Sequence, residues 1–298
     1  MSVVFFSVIS RKCPGLYCGR VNPGAECGAC PRGYQPNENS LCIRCENKPT
    51  FYDWLYMGFM ALLSLCLHWF YIDYKTRGKR SVLILHISAL VESVVAGIVT
   101  LVLADPIGPL EIRSCPVNHL ADWYTLLYNP SLNYTTTLHC SQEIVYPLYT
   151  LGMIYYAFSI ALLLIIRPIV SCKLADGRGN KSIYAALYFL PILIAVNAVA
   201  AGLLYYAFPS IILIASVVTS AFHLSCMDDQ SLIKNSLTNP RNIIIILGHW
   251  VLHAYGIISL TRLTQPVFHA PLIALVPFPA IFYILTVRFS DPDNLEKV

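Results

Sequence analysis

Apolar and polar positions alternate along this chain in long blocks, with a period far coarser than a soluble helix or strand would show. A helix needs roughly 20 apolar residues to cross the ~30 Å hydrocarbon core of a bilayer. Blocks of that kind predict spans at 53–74, 82–104, 145–166, 183–204, 209–225, 243–260 and 270–287. The division between the fourth and fifth rests on length. As one helix, 183–225 would be about 65 Å long, twice the core. A turn is therefore predicted at YYAFP, which ends on Pro209. Pro271, Pro277 and Pro279 predict a kinked or broken seventh helix. The expected fold is an all-α membrane protein with seven transmembrane helices over 51–288. The expected remainder is a small cysteine-rich segment at 1–50, a long loop at 105–144 within the helical part, and a tail at 289–298.

Composition agrees with this pattern. Of the 298 residues, 56% are hydrophobic and 12% charged, whereas soluble domains carry about a quarter charged residues. The net charge of +4 includes no dense basic stretch, which argues against nucleic acid as a partner. The N-terminal MSVVFFSVISRK places its basic pair after the apolar run, so no cleavable signal peptide is expected.

The positions of the positive charges predict orientation. The loop after the first span carries Lys75, Arg77, Lys79 and Arg80, and that after the third carries Arg167, Lys173, Arg178 and Lys181. The loop after the fifth carries Lys234 and Arg241, and the tail carries Arg288 and Lys297. These alternate loops hold twelve positive residues, against two, Arg113 and Arg262, in the opposite loops and six spread over the N-terminal segment. The cysteine-rich segment is expected on the lumenal side and the tail in the cytosol.

Eleven cysteines follow the same division. Cys13, Cys18, Cys27, Cys30, Cys42 and Cys45 lie in the N-terminal segment, and Cys115 and Cys140 in the loop after the second span. All eight fall on the expected oxidising side, an even number that suits a disulfide framework of unspecified pairing. The competing reading of CGAC and CIRC is a small zinc ribbon, which the charge asymmetry disfavours. A Gly- and Pro-rich segment of this size builds little core and needs covalent staples. Cys66, Cys172 and Cys226 fall in a span or at the cytosolic face and are expected to stay reduced. Asn133 opens a glycosylation sequon in the loop that holds Cys115 and Cys140. A second sequon at Asn180 falls on the cytosolic side and is expected to be unused.

Inside the membrane, Glu92 sits near the middle of the second span and should be protonated or paired, facing the bundle. His249 and His253 are four residues apart on one helical face. With Glu92 they offer the ingredients of an intramembrane zinc hydrolase, but no clear third ligand or nucleophile motif accompanies them. The plainer reading is interhelical hydrogen bonding. No catalytic residue, metal site or cofactor is expected. The other alternative is a seven-span ligand-sensing receptor, against which the short cytosolic loops argue.

Several ordered stretches resemble one family. They include CPGLYCGR (13–20), YDWLYMGFMALL (52–63), ADPIGPLEIRSC (104–115), DWYTLLYNPSLNYTTTLHC (122–140), KSIYAALYFLPIL (181–193), GLLYYAFPSIIL (202–213), HWVLHAYGIISLTR (249–262) and LIALVPFPAIFY (272–283). In sequence and order they closely resemble the JNK-associated membrane protein family. The resemblance implies a multi-pass endoplasmic reticulum adaptor without enzymatic activity. Its implied partners are proteasome subunits and ubiquitin ligases of the degradation machinery for misfolded proteins, with a link to JNK stress-kinase signalling. A kinase-docking pattern at Lys79-Arg80 with Leu83 and Leu85 coincides with the start of the second span, so membrane insertion accounts for it.

Overall fold

A computed structural model describes residues 12–75, 79–105, 107–108, 111–130, 138–140, 143–225 and 240–290. The helices are α1 (Phe51–Lys75), α2 (Lys79–Leu103), α3 (Leu148–Leu174), α4 (Asn180–Ser225), α5 (Pro240–Thr261), a short α6 (Pro266–His269) and α7 (Phe278–Ser290). Among the described residues, six segments are long and apolar enough to cross a membrane, against the seven expected.

The difference lies in α4. The chain stays helical for 46 residues through Pro209 where a turn between two spans was expected. Proline removes a single backbone donor, and apolar helices tolerate this. YYAFP also lacks the Gly or Asn that a tight reversal uses. The last span, Pro266–Thr286, is broken as its prolines predict: α6 passes into a 3-10 stretch, Ala270–Leu275, before α7 begins.

The described chain divides into two compact units, Met1–Leu204 and Tyr205–Val298. In the first unit α1, α2 and α3 pack against one another. Helix α1 begins with a reciprocal cap. The Thr50 amide and hydroxyl donate to Asp53 Oδ2 at 2.7 and 2.8 Å, and the Asp53 amide donates to Thr50 Oγ1 at 3.3 Å. Helix α2 buries Leu85, Ser88, Ala89, Glu92, Ala96 and Thr100, a stripe at helical spacing. Helix α3 answers with Leu148, Leu151, Gly152, Tyr155, Tyr156, Ser159, Leu163, Arg167 and Ser171. Both stripes mix small and polar residues, as helix contacts in lipid require, because apolar side chains gain nothing by leaving lipid for one another.

Residues 12–50 form two antiparallel ribbons. Cys18–Gly19 pairs with Gly28–Ala29, and Tyr34–Pro36 pairs with Cys42–Arg44. The loop after α2 folds onto this segment. The Ser114 amide donates to the Asn47 carbonyl at 2.6 Å, and the Tyr17 hydroxyl donates to Asp122 at 2.9 Å. Two 3-10 turns, Leu120–Trp123 and Thr125–Tyr128, bring Trp123 against α4. A Cβ on Gly202 would stand 2.6 Å from Trp123 Cβ. Gly202 thus admits an indole from the loop.

Candidate functional site

Three clusters gather the chemically active side chains. The first is the stapled N-terminal module. Disulfides join Cys13 to Cys27, Cys18 to Cys140, Cys30 to Cys42 and Cys45 to Cys115. All eight cysteines singled out in the sequence take part. Two bridges are local, with separations of 14 and 12 residues. The other two reach across 122 and 70 residues and fasten the N-terminal segment to the loop between α2 and α3. That leaves the CGAC and CIRC pairs no thiolates with which to build a zinc ribbon. Gly19 is required by packing, since a Cβ there would lie 2.6 Å from Cys30 Sγ and 2.8 Å from Cys42 Sγ. Asn133 lies outside the described residues. Of the remaining cysteines, Cys66 and Cys172 are free thiols, and Cys226 also lies outside the described residues.

Around this module, burial raises the Tyr17 phenol above its usual range, and the Asp122 carboxylate reinforces the shift. Burial likewise raises the Glu143 carboxyl, against hydrogen bonds from Thr150 and the charge of Arg32. Glu143 accepts the Thr150 amide at 3.2 Å and its hydroxyl, at the start of α3. Arg32 Nε stands 3.7 Å away.

The second cluster is ionic and buried among α1, α2 and α3. Arg167 Nε donates to Glu92 Oε1 at 3.1 Å, and Arg167 Nη2 donates to Glu92 Oε2. Ser88 Oγ donates to Glu92 Oε1 at 2.7 Å, and His68 Nδ1 lies 3.3 Å from Arg167 Nη1. The carboxylate has partners on both oxygens, and the pair ties α2 to α3. Arg167 was expected in the loop after the third span. It lies within α3, which continues through Pro168 to Leu174, and its side chain is fully buried. The missed pair had a signal in the sequence, because an intramembrane carboxylate calls for a nearby cation. Arg167, at the end of an apolar run, was available.

The third cluster lies in the second unit. His253 Nδ1 is 2.9 Å from Ser216 Oγ, and His249 Nδ1 is 3.2 Å from Thr219 Oγ1. Each imidazole thus holds a hydroxyl of α4. Among the described residues no three His, Cys, Asp or Glu side chains converge as a metal site would require. That geometry does not fit the zinc hydrolase.

Long apolar helices, polar groups paired between them and a disulfide-stapled N-terminal module define a multi-pass helical membrane protein. The family model described as "JNK1/MAPK8-associated membrane protein" matches residues 13–292, and the chain belongs to this family. It is 48% identical over 300 residues to the JNK1/MAPK8-associated membrane protein of Mus musculus and 49% identical over 300 to that of Homo sapiens, covering 96% of this chain and 96% of each relative. A Caenorhabditis elegans homolog is 31% identical over 281 residues, or 92% of this chain and 86% of the relative. No solved structure matches the chain.

Proposed function

We propose that this protein is a non-enzymatic adaptor of the endoplasmic reticulum membrane. It recruits proteasome subunits and ubiquitin ligases for the degradation of misfolded proteins, and it associates with a JNK kinase, an association that the names of its relatives state of them. The observation that carries this reading is the match to those relatives over 96% of both chains. It is supported by the way the intramembrane ionisable groups are spent on one another. Glu92 is held by Arg167 and Ser88, and His249 and His253 are held by hydroxyls.

The stapled module at 1–50 and the loop at 105–144 face the lumen, where disulfides persist. The basic loops and the tail at 289–298 face the cytosol. Lys173 and Arg178 precede α4, Lys181 lies in its first turn, and Lys234 and Arg241 follow it, which favours one face for both its ends. Short cytosolic loops leave partners to bind those loops, the tail and the helix faces within the membrane.

Affinity capture of the full chain in mild detergent tests the adaptor reading. Ubiquitin-ligase or proteasome subunits should be recovered with the folded protein. Clean recovery of the folded chain without them contradicts it.

A further inference from the structure

A groove of about 350 Å³ opens on the surface where α1 meets the first turns of α4. That volume lies within the ~300–1,000 Å³ typical of small-molecule sites. Its walls include Tyr71 on α1 and Lys181, Tyr184, Tyr188, Phe189 and Ile192 on α4. Tyr184 and Tyr188 are 66% and 74% exposed, so these rings line the groove without being covered by protein. The floor is fixed. Phe189 stacks on Tyr71 with centroids 5.6 Å apart, and it meets His68 edge-on at 5.0 Å. His68 is in turn held in the buried Arg167–Glu92 cluster.

Two features make the groove chemically polarised along its length. Lys181 sits at one end, in the first turn of α4, where the helix dipole is positive. Among the described residues no acidic side chain lies within salt-bridge distance of it. From Lys181 to Ile192 the groove extends eleven residues, about 16 Å along the axis, and beyond Lys181 its lining is aromatic or aliphatic. Half of a ~30 Å hydrocarbon core is about 15 Å. The groove therefore matches one leaflet in depth, with a cation at its head and apolar walls below.

We propose that this groove binds one anionic phospholipid, with the phosphate at Lys181 and an acyl chain lying along Tyr184, Tyr188 and Ile192. The cation selects the headgroup, since a lysine near a membrane surface favours an anionic lipid. The aromatic walls hold the chain in one place, against the exchange expected of lipid on a smooth helix.

Native mass spectrometry of the full chain, purified in mild detergent and offered equal phosphatidylserine and phosphatidylcholine, tests this. One phosphatidylserine should be retained in preference to phosphatidylcholine. Lys181→Gln should lower that preference about fivefold, the effect of one lysine, and Lys181→Arg should restore it. Ala185→Phe, which narrows the groove, should lower retention of both lipids. Lys173→Gln, at the exposed C-terminal end of α3, should change nothing. The proposal is overturned if Lys181→Gln retains phosphatidylserine as the parent does, or if Lys173→Gln lowers retention equally, which would indicate diffuse attraction. Equal retention of both lipids by the parent also overturns it, as does displacement by glycerol phosphate alone, which would make the groove superfluous. Unchanged thermal midpoints for the three lysine variants establish that the comparison is between folded proteins.

Discussion

Arg167 on α3 and Glu92 on α2 form a salt bridge from which solvent is almost wholly excluded, with the two side chains 0% and 3% exposed. Separating such charges from water is costly, and only their pairing offsets it. Removing one partner should cost far more than removing both. Arg167→Leu and Glu92→Leu are each expected to lose about 3–5 kcal/mol, while the double variant recovers a large share of that loss. Denaturation in detergent as a double-mutant cycle measures the coupling. Additive losses would mean that the two groups do not support each other.

The long bridges predict a covalent topology. Cleavage between the stapled segment and α1 should leave residues 12–50 attached to the chain through Cys18–Cys140 and Cys45–Cys115 until a reductant is added. Peptide mapping under non-reducing conditions reads the four pairs directly. Release of the segment without reductant would contradict them.

Much of this was legible before any coordinates. The spans appear as apolar blocks because the hydrocarbon core sets a minimum apolar length for each crossing. The eight paired cysteines stand out because they gather, in even number, in the N-terminal segment and the loop after the second span. Pairing itself was not legible, since six N-terminal cysteines allow fifteen arrangements and the Cys18–Cys140 bridge spans two helices. Arg167 was misplaced because a charge after an apolar run reads as loop, whereas α3 continues to Leu174 and buries it. Pro209 misled in the same direction within α4. In an apolar helix a proline is a weaker stop than in water, because the freed carbonyl finds no solvent to reward its exposure.

Glu143 predicts a pH dependence at the start of α3. Burial is the main cause of its raised carboxyl pKa, and the bonds from Thr150 and Arg32 oppose it. A raised folded value favours the protonated form on folding. Its contribution is fully present below the unfolded value, ~4.3, and is lost as pH rises through the folded value. Glu143→Gln should remove this slope, so the parent falls relative to the variant between acid and neutral pH. Thermal midpoints across that range check it. A parent that gains on the variant as pH rises would reverse the sign.

Gly202 has no room for a side chain beside Trp123. Gly202→Ala should destabilise by about 1–3 kcal/mol, the usual cost of overpacking. Trp123→Ala in the same background should recover part of it. Thermal unfolding of the two variants measures both effects. A Gly202→Ala protein as stable as the parent would mean that the indole does not rest on α4.

The sidedness of the stapled module governs the meaning of every cysteine and every basic loop. Protease protection of an epitope at the first residue, in sealed endoplasmic reticulum microsomes, measures it. The account predicts a tag that survives until detergent opens the vesicles. Digestion of that tag in intact vesicles would place the disulfides in the cytosol and contradict it.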